Sequence, residues 1–158
     1  MRAKTFVVAV VIIGFAGMAF ADGYSERARS IFLNEVQKSY AETKDRLASG
    51  NTDAAKDSCK QLHESVRKLV DQVGPAKEIL ATLGDTPVMK AWEAVDQSSR
   101  ELNTNVGLLE GAIGKADAKD SLSNVTKVLE DLGRAMDKAN SAFTDFGKRW
   151  QSVCDTCK

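Results

Sequence analysis

Apolar residues recur at alternating steps of three and four from Leu122 through Val125, Leu129, Leu132, Met136, Ala139, Phe143, Phe146, Trp150 and Val153 to Cys157. A half-buried strand needs a period of two, so this spacing commits the end of the chain to a long amphipathic helix that buries one stripe. Such a stripe has to be covered by other helices. The final turn reads Cys154-Asp155-Thr156-Cys157-Lys158, which sets two thiols at i and i+3 beside the richest aromatic cluster in the sequence.

Three further helical patterns supply the cover. The first is expected from about Tyr24 to Ser49, with Leu33, Val36, Tyr40, Thr43 and Leu47 on its stripe and Phe32 beside it. Gly50 ends it, because glycine takes the left-handed cap without a steric penalty. Asn51, Thr52 and Asp53 offer side-chain oxygens to the amides of a second helix, whose seam is Ala55, Cys59, Leu62, Val66, Leu69 and Val73. Gly74-Pro75 is expected to break or kink that helix, with a short piece carrying Ile79, Leu80 and Leu83 continuing to Gly84. Thr86 can cap a third helix, and Pro87 suits its first position, where a missing N–H is not needed. Its seam is Val88, Trp92, Val95, Ser99, Leu102, Val106, Leu109 and Ile113; Gly114 closes it, and Asp117 can cap the last helix. The likeness of Asp53-Ala54-Ala55-Lys56-Asp57-Ser58 to Asp117-Ala118-Lys119-Asp120-Ser121 fits either two related hairpins or two similar caps. The predicted fold class is all-α, an antiparallel up-down-up-down four-helix bundle.

Arg2 and Lys4 precede an apolar run from Phe6 to Phe20 that ends in Ala19-Phe20-Ala21, the pattern of a cleaved secretory signal peptide over residues 1–21. The run is shorter than the ~20 apolar residues of a membrane span, so residues 22–158 are expected to form one exported domain with no membrane anchor, periplasmic or secreted. The leader takes two of the 22 basic residues against 22 acidic ones, leaving a net charge near minus two. Without a basic cluster, nucleic acid is not an expected partner. A single histidine, with no Ser/His/Asp set and no phosphate loop, gives no basis for acid–base chemistry, and the chain reads as a non-enzyme.

Three cysteines in an exported chain leave an odd count. Cys59 sits on the second seam as a small core residue, while His63 falls off it. A zinc site joining Cys59, His63, Cys154 and Cys157 is opposed by topology, since about thirty residues of helix at ~1.5 Å each separate the two ends. A thioredoxin-like role would put the Cys pair at a helix start, where the dipole favours thiolate, and here it ends one. A local disulfide across one turn stays open. Register brings Trp92 to the level of Ala139 and Phe143, and Tyr24, Phe32, Phe146 and Trp150, with Ile79 and Leu83, are expected to gather there around an apolar pocket near Cys154 and Cys157.

The leader, four amphipathic helices and Cys-x-x-Cys at the end of the last one together resemble the cytochrome c prime and cytochrome b562 group of periplasmic bundles. The resemblance implies haem c attached by thioethers to Cys154 and Cys157 and walled by Phe32, Trp92, Phe146 and Trp150. Lys158 stands where that family has its iron-ligating histidine, and would be the metal ligand as a neutral amine, as in the CxxCK haem of nitrite reductases. It implies electron transfer or diatomic gas binding, with a redox partner protein or a small gas ligand as partner, and it allows a homodimer. The alternative is a haemless bundle that binds a partner or ligand at the aromatic pocket, with a local Cys154–Cys157 disulfide.

Overall fold

The computed structural model describes residues 23–81 and 84–156. The leader, Leu83, Cys157 and Lys158 lie outside the described residues, as do the side chains of Val153 and Cys154. Four helices follow in order: α1 over residues 23–48, α2 over Thr52–Ala81, α3 over Thr86–Ala112 and α4 over Ala118–Thr156. The chain is an all-α four-helix bundle, and its contacts run in opposite senses along neighbouring helices. Glu35 meets Lys68 between α1 and α2, and Cys59 and Trp92 reach Val106 and Val73 respectively between α2 and α3. Trp92 also meets Phe143 between α3 and α4, while Tyr40 and Arg29 meet Thr126 and Asp137 between α1 and α4.

The seams read from the sequence form the core. Ala55, Cys59, Leu62, Val66, Leu69 and Val73 of α2 are buried, as are Val88 to Ile113 of the α3 seam and Val125 to Phe146 of the α4 seam; Leu122 and Trp150 are partly buried against them. Gly50, at φ 73°, and Gly114, at φ 89°, occupy the left-handed region that only glycine enters freely, and each ends its helix as expected. Asn51 Oδ1 accepts from the amide of Ala54 at 3.1 Å, the cap foreseen for α2. The cap of α3 differs by one residue. Asp85, not Thr86, holds the N-cap position, accepting from the amide of Val88 at 3.1 Å, so Pro87 falls inside the first turn.

Two local expectations are corrected, the break of α2 at Gly74-Pro75 and the place of Leu33 on the α1 stripe. Helix α2 runs unbroken through Gly74-Pro75, and Ala76 and Leu80 carry its buried face onward. Proline removes the amide that the carbonyl four residues back would accept, and its ring crowds the preceding residue. Gly74 has no Cβ for that ring to strike, and the Trp92 indole N–H donates to the neighbouring Val73 carbonyl at 3.0 Å, tying the weak turn to α3. In α1 the stripe is carried by Phe32, which is 4% exposed, and not by Leu33, which is 45% exposed. Residues Phe32–Val36 form a π-turn. The inward row Ala28, Phe32, Val36 and Tyr40 advances by three steps of four, each drifting about 40° around a regular α-helix, and the wider turn takes up part of that drift.

Candidate functional site

The aromatic end of the bundle is built by α3 and α4. Trp92 and Phe143 sit edge to face with ring centroids 5.9 Å apart, which puts Trp92 at the level of Phe143 as the turn geometry requires. One turn further, Phe146 and Trp150 make a second edge-to-face pair at 6.1 Å. Arg149 lies over the Phe146 ring at 6.0 Å and donates to Asp85 Oδ2 at 2.6 Å. Asp85 thus uses one carboxylate oxygen to cap α3 and the other to hold α4 beside it.

This end is closed inside and open at its edge. Trp92 is 2% exposed, and its one polar atom is already bonded to Val73. The space beside it, toward Lys77, Leu80 and Met89 on one side and Ser25 and Met136 on the other, amounts to about 10 Å³ in each case, room for one water. The edge is different: Asp85, Phe146, Arg149 and Trp150 line a cleft of about 170 Å³, open to solvent and apolar along its ring faces. Ligand pockets for cofactor-sized molecules run to roughly 300–1,000 Å³, whereas a cavity of about 150 Å³ holds a single benzene-sized group. The cleft offers apolar contact to about one side chain or one ring, the rest of any occupant standing in solvent.

Of the residues assigned to a haem pocket, Phe146 and Trp150 are brought together and Phe32 stands apart from them. Phe32 packs over Gly133, at 3.7 Å from where a Cβ would stand there, so it lies thirteen positions, roughly 20 Å, along α4 from Phe146. Trp92 is shut into the core, and Phe146 is buried while Trp150 is only partly so. A porphyrin does not fit between these side chains as they are packed. Cys154 is helical, its side chain lies outside the described residues with all of Cys157 and Lys158, and the fit concerns only the walls. Among the described residues no cluster of three or more His, Cys, Asp or Glu side chains is arranged to hold a metal. None of the described helices is long and apolar enough to cross a membrane.

Away from this end, two features stand out. Cys59 is fully buried, with Sγ 4.0 Å from the Val106 carbonyl, and burial, aided by the charge of Glu110, pushes its thiol pKa up to about 12. It is an inert core thiol. One turn along α2, His63 Nδ1 lies 2.9 Å from Glu110 Oε2, and its ring rests over Gly107, at 3.5 Å from where a Cβ would be. The spacing puts His63 off the α2 seam, on its flank. The antiparallel register that opposes Cys59 to Val106 sets His63 level with about Leu102, so counting along the helices does not point to Glu110; the two side chains meet because each leans toward its own helix N-terminus. No family model matches this chain, and no curated protein or solved structure does either.

Proposed function

We propose that this chain is an exported, non-enzymatic four-helix bundle that works by binding, that it carries no haem, and that it docks its partner at the open edge formed by Phe146, Arg149 and Trp150. Cys154 and Cys157 then form a local disulfide next to that edge. One observation carries the reading: Trp92 is packed on Phe143 and Phe146 on Trp150, leaving about 10 Å³ beside Trp92, while the one apolar opening described at this end is the solvent-exposed cleft of about 170 Å³ beside Phe146 and Trp150.

The rival is the c-type cytochrome reading, favoured by the spacing of Cys154 and Cys157 one turn beyond Trp150. Bound there, haem would supply a redox-active or gas-binding iron, and Lys158 would be its ligand. The protein's own residues would offer it only the cleft edge: Trp150 as a flat face and Arg149 as a cation for a propionate.

An absorption spectrum separates the two. The protein purified from its native host, with that host's cytochrome maturation system intact, is expected to be colourless and to leave no haem stain on a denaturing gel. Mass spectrometry of the terminal peptide should show Cys154 and Cys157 joined, lighter than the dithiol by two hydrogens. A Soret band that survives denaturation would overturn the reading and install the cytochrome.

A further inference from the structure

The groove between α1 and α2 is larger than the cleft at the aromatic end and of opposite character. It is a trough of about 300 Å³ open to solvent, and every lining side chain is polar or charged. Its rungs follow from antiparallel register. Lys68 Nζ donates to Glu35 Oε2 at 2.9 Å, closing one end. A step of one turn along both helices brings Lys38 opposite Glu64, with the Ser65 hydroxyl beside them turned back onto the Gln61 carbonyl at 2.9 Å. A further step adds Glu42.

The Glu35–Lys68 rung is latched and the next one is not. The hydrogen bond that Lys68 donates to Glu35, and the charge of Glu35, raise the Lys68 pKa, with a smaller contribution from the nearby charge of Glu64. No ion pair joins Lys38 to Glu64, and neither Lys38 nor Glu42 has a hydrogen-bonded or ion-pair partner among the described residues. One ammonium and two carboxylates thus face a groove large enough for a small molecule, next to the π-turn of α1, a kind of irregularity that often accompanies binding sites.

We propose that this groove binds a free α-amino acid, its carboxylate paired with Lys38 and its ammonium held between Glu64 and Glu42. A ligand with a single charge would satisfy one side and leave the other without a partner, so the site favours a zwitterion over either ion alone. This site is separate from the aromatic end, and the absorption spectrum described above does not bear on it.

The test is a titration of the isotopically labelled mature protein, residues 22–158, followed by amide resonances. L-alanine, L-glutamate and L-lysine are the probes, with acetate and methylammonium as single-charge controls. At least one amino acid is expected to give saturable shifts confined to residues 34–42 and 61–68, which neither control reproduces. Lys38→Met and Glu64→Gln should each weaken binding about tenfold, the usual loss on removing a charge-assisted hydrogen bond. Both positions are on the surface, so the helical circular dichroism should not change. The proposal is overturned if none of the three amino acids gives a saturable shift, if acetate or methylammonium gives the same one, or if both variants bind as the parent does.

Discussion

Cys59 shows how far a single side chain can be read from its neighbours. Its place between Ala55 and Leu62 marks it as a core residue, and burial then decides its chemistry, because a thiolate cannot be solvated there. Alkylating reagents should leave Cys59 untouched in the native protein at pH 8 and modify it on unfolding, and Cys59→Ala should cost on the order of 1 kcal/mol. The raised pKa also has a direction in pH. The unfolded thiol ionises near 9.0 and the folded one near 12, so this contribution to stability is complete below about pH 9 and is lost as pH rises toward 12. Melting temperatures should therefore fall more steeply across that alkaline range for the parent than for Cys59→Ala. Equal slopes, or rapid native labelling, would contradict the burial. His63 was not legible in the same way. Its partner Glu110 lies on another helix, and only the pairing of α2 with α3 shows that a residue off the seam still has a specific neighbour.

At the scale of the helix, spacing foretold which segments coil and where they stop, but not what happens inside them. Gly50 and Gly114 end helices because left-handed backbone needs glycine, a local rule. Pro75 does not end the helix: the turn that holds it is tied to another helix by the Trp92 indole on the Val73 carbonyl, a contact that no local rule can foresee. The α1 stripe is a third case: Phe32 and Leu33 are both apolar and adjacent, so the pattern alone does not choose between them. The buried set resolves it as Ala28, Phe32, Val36 and Thr43 with Tyr40 and Leu47 packed alongside, a row in which three successive steps of four precede the usual alternation. One residue too many lies between Phe32 and Val36, and the π-turn houses it. Deleting exposed Leu33 should convert that turn to regular α-helix, restore alternating steps of four and three, and leave the melting temperature unchanged or raised. A loss of more than about 2 kcal/mol, the scale of a disrupted core, would show that the π-turn is needed for packing and is not an accommodated insertion.

Across the whole molecule the helices are unequal, and the inequality bears on the terminal cysteines. Helix α4 has 39 residues against 27 in α3. Arg149 meets Asp85, the residue just before α3 begins, so positions 150–156 extend about 10 Å past the start of that helix. The register set by Arg29 and Asp137 brings position 23 of α1 level with about position 143, so α1 is left behind earlier still. Legibility divides along the same line. The level of Trp92 against Phe143 followed from counting back from the turn, but whether the rings would line a hollow or fill it depends on interhelix distance, which periodicity does not encode. They fill it, and among the described side chains Phe146 is the last fully buried member of the seam, with Trp150 partly buried beyond it. The Cys154–Cys157 stretch is therefore expected to add little to folding. A chain ended after Ser152 should retain its helical circular dichroism and melt within about 2 °C of the parent, the range of a surface change, while losing whatever binding depends on the aromatic edge and the cysteine pair. A large drop in melting temperature on that truncation, reproduced by reducing the intact protein, would instead make the pair a structural staple and move the search for function away from this end of the bundle.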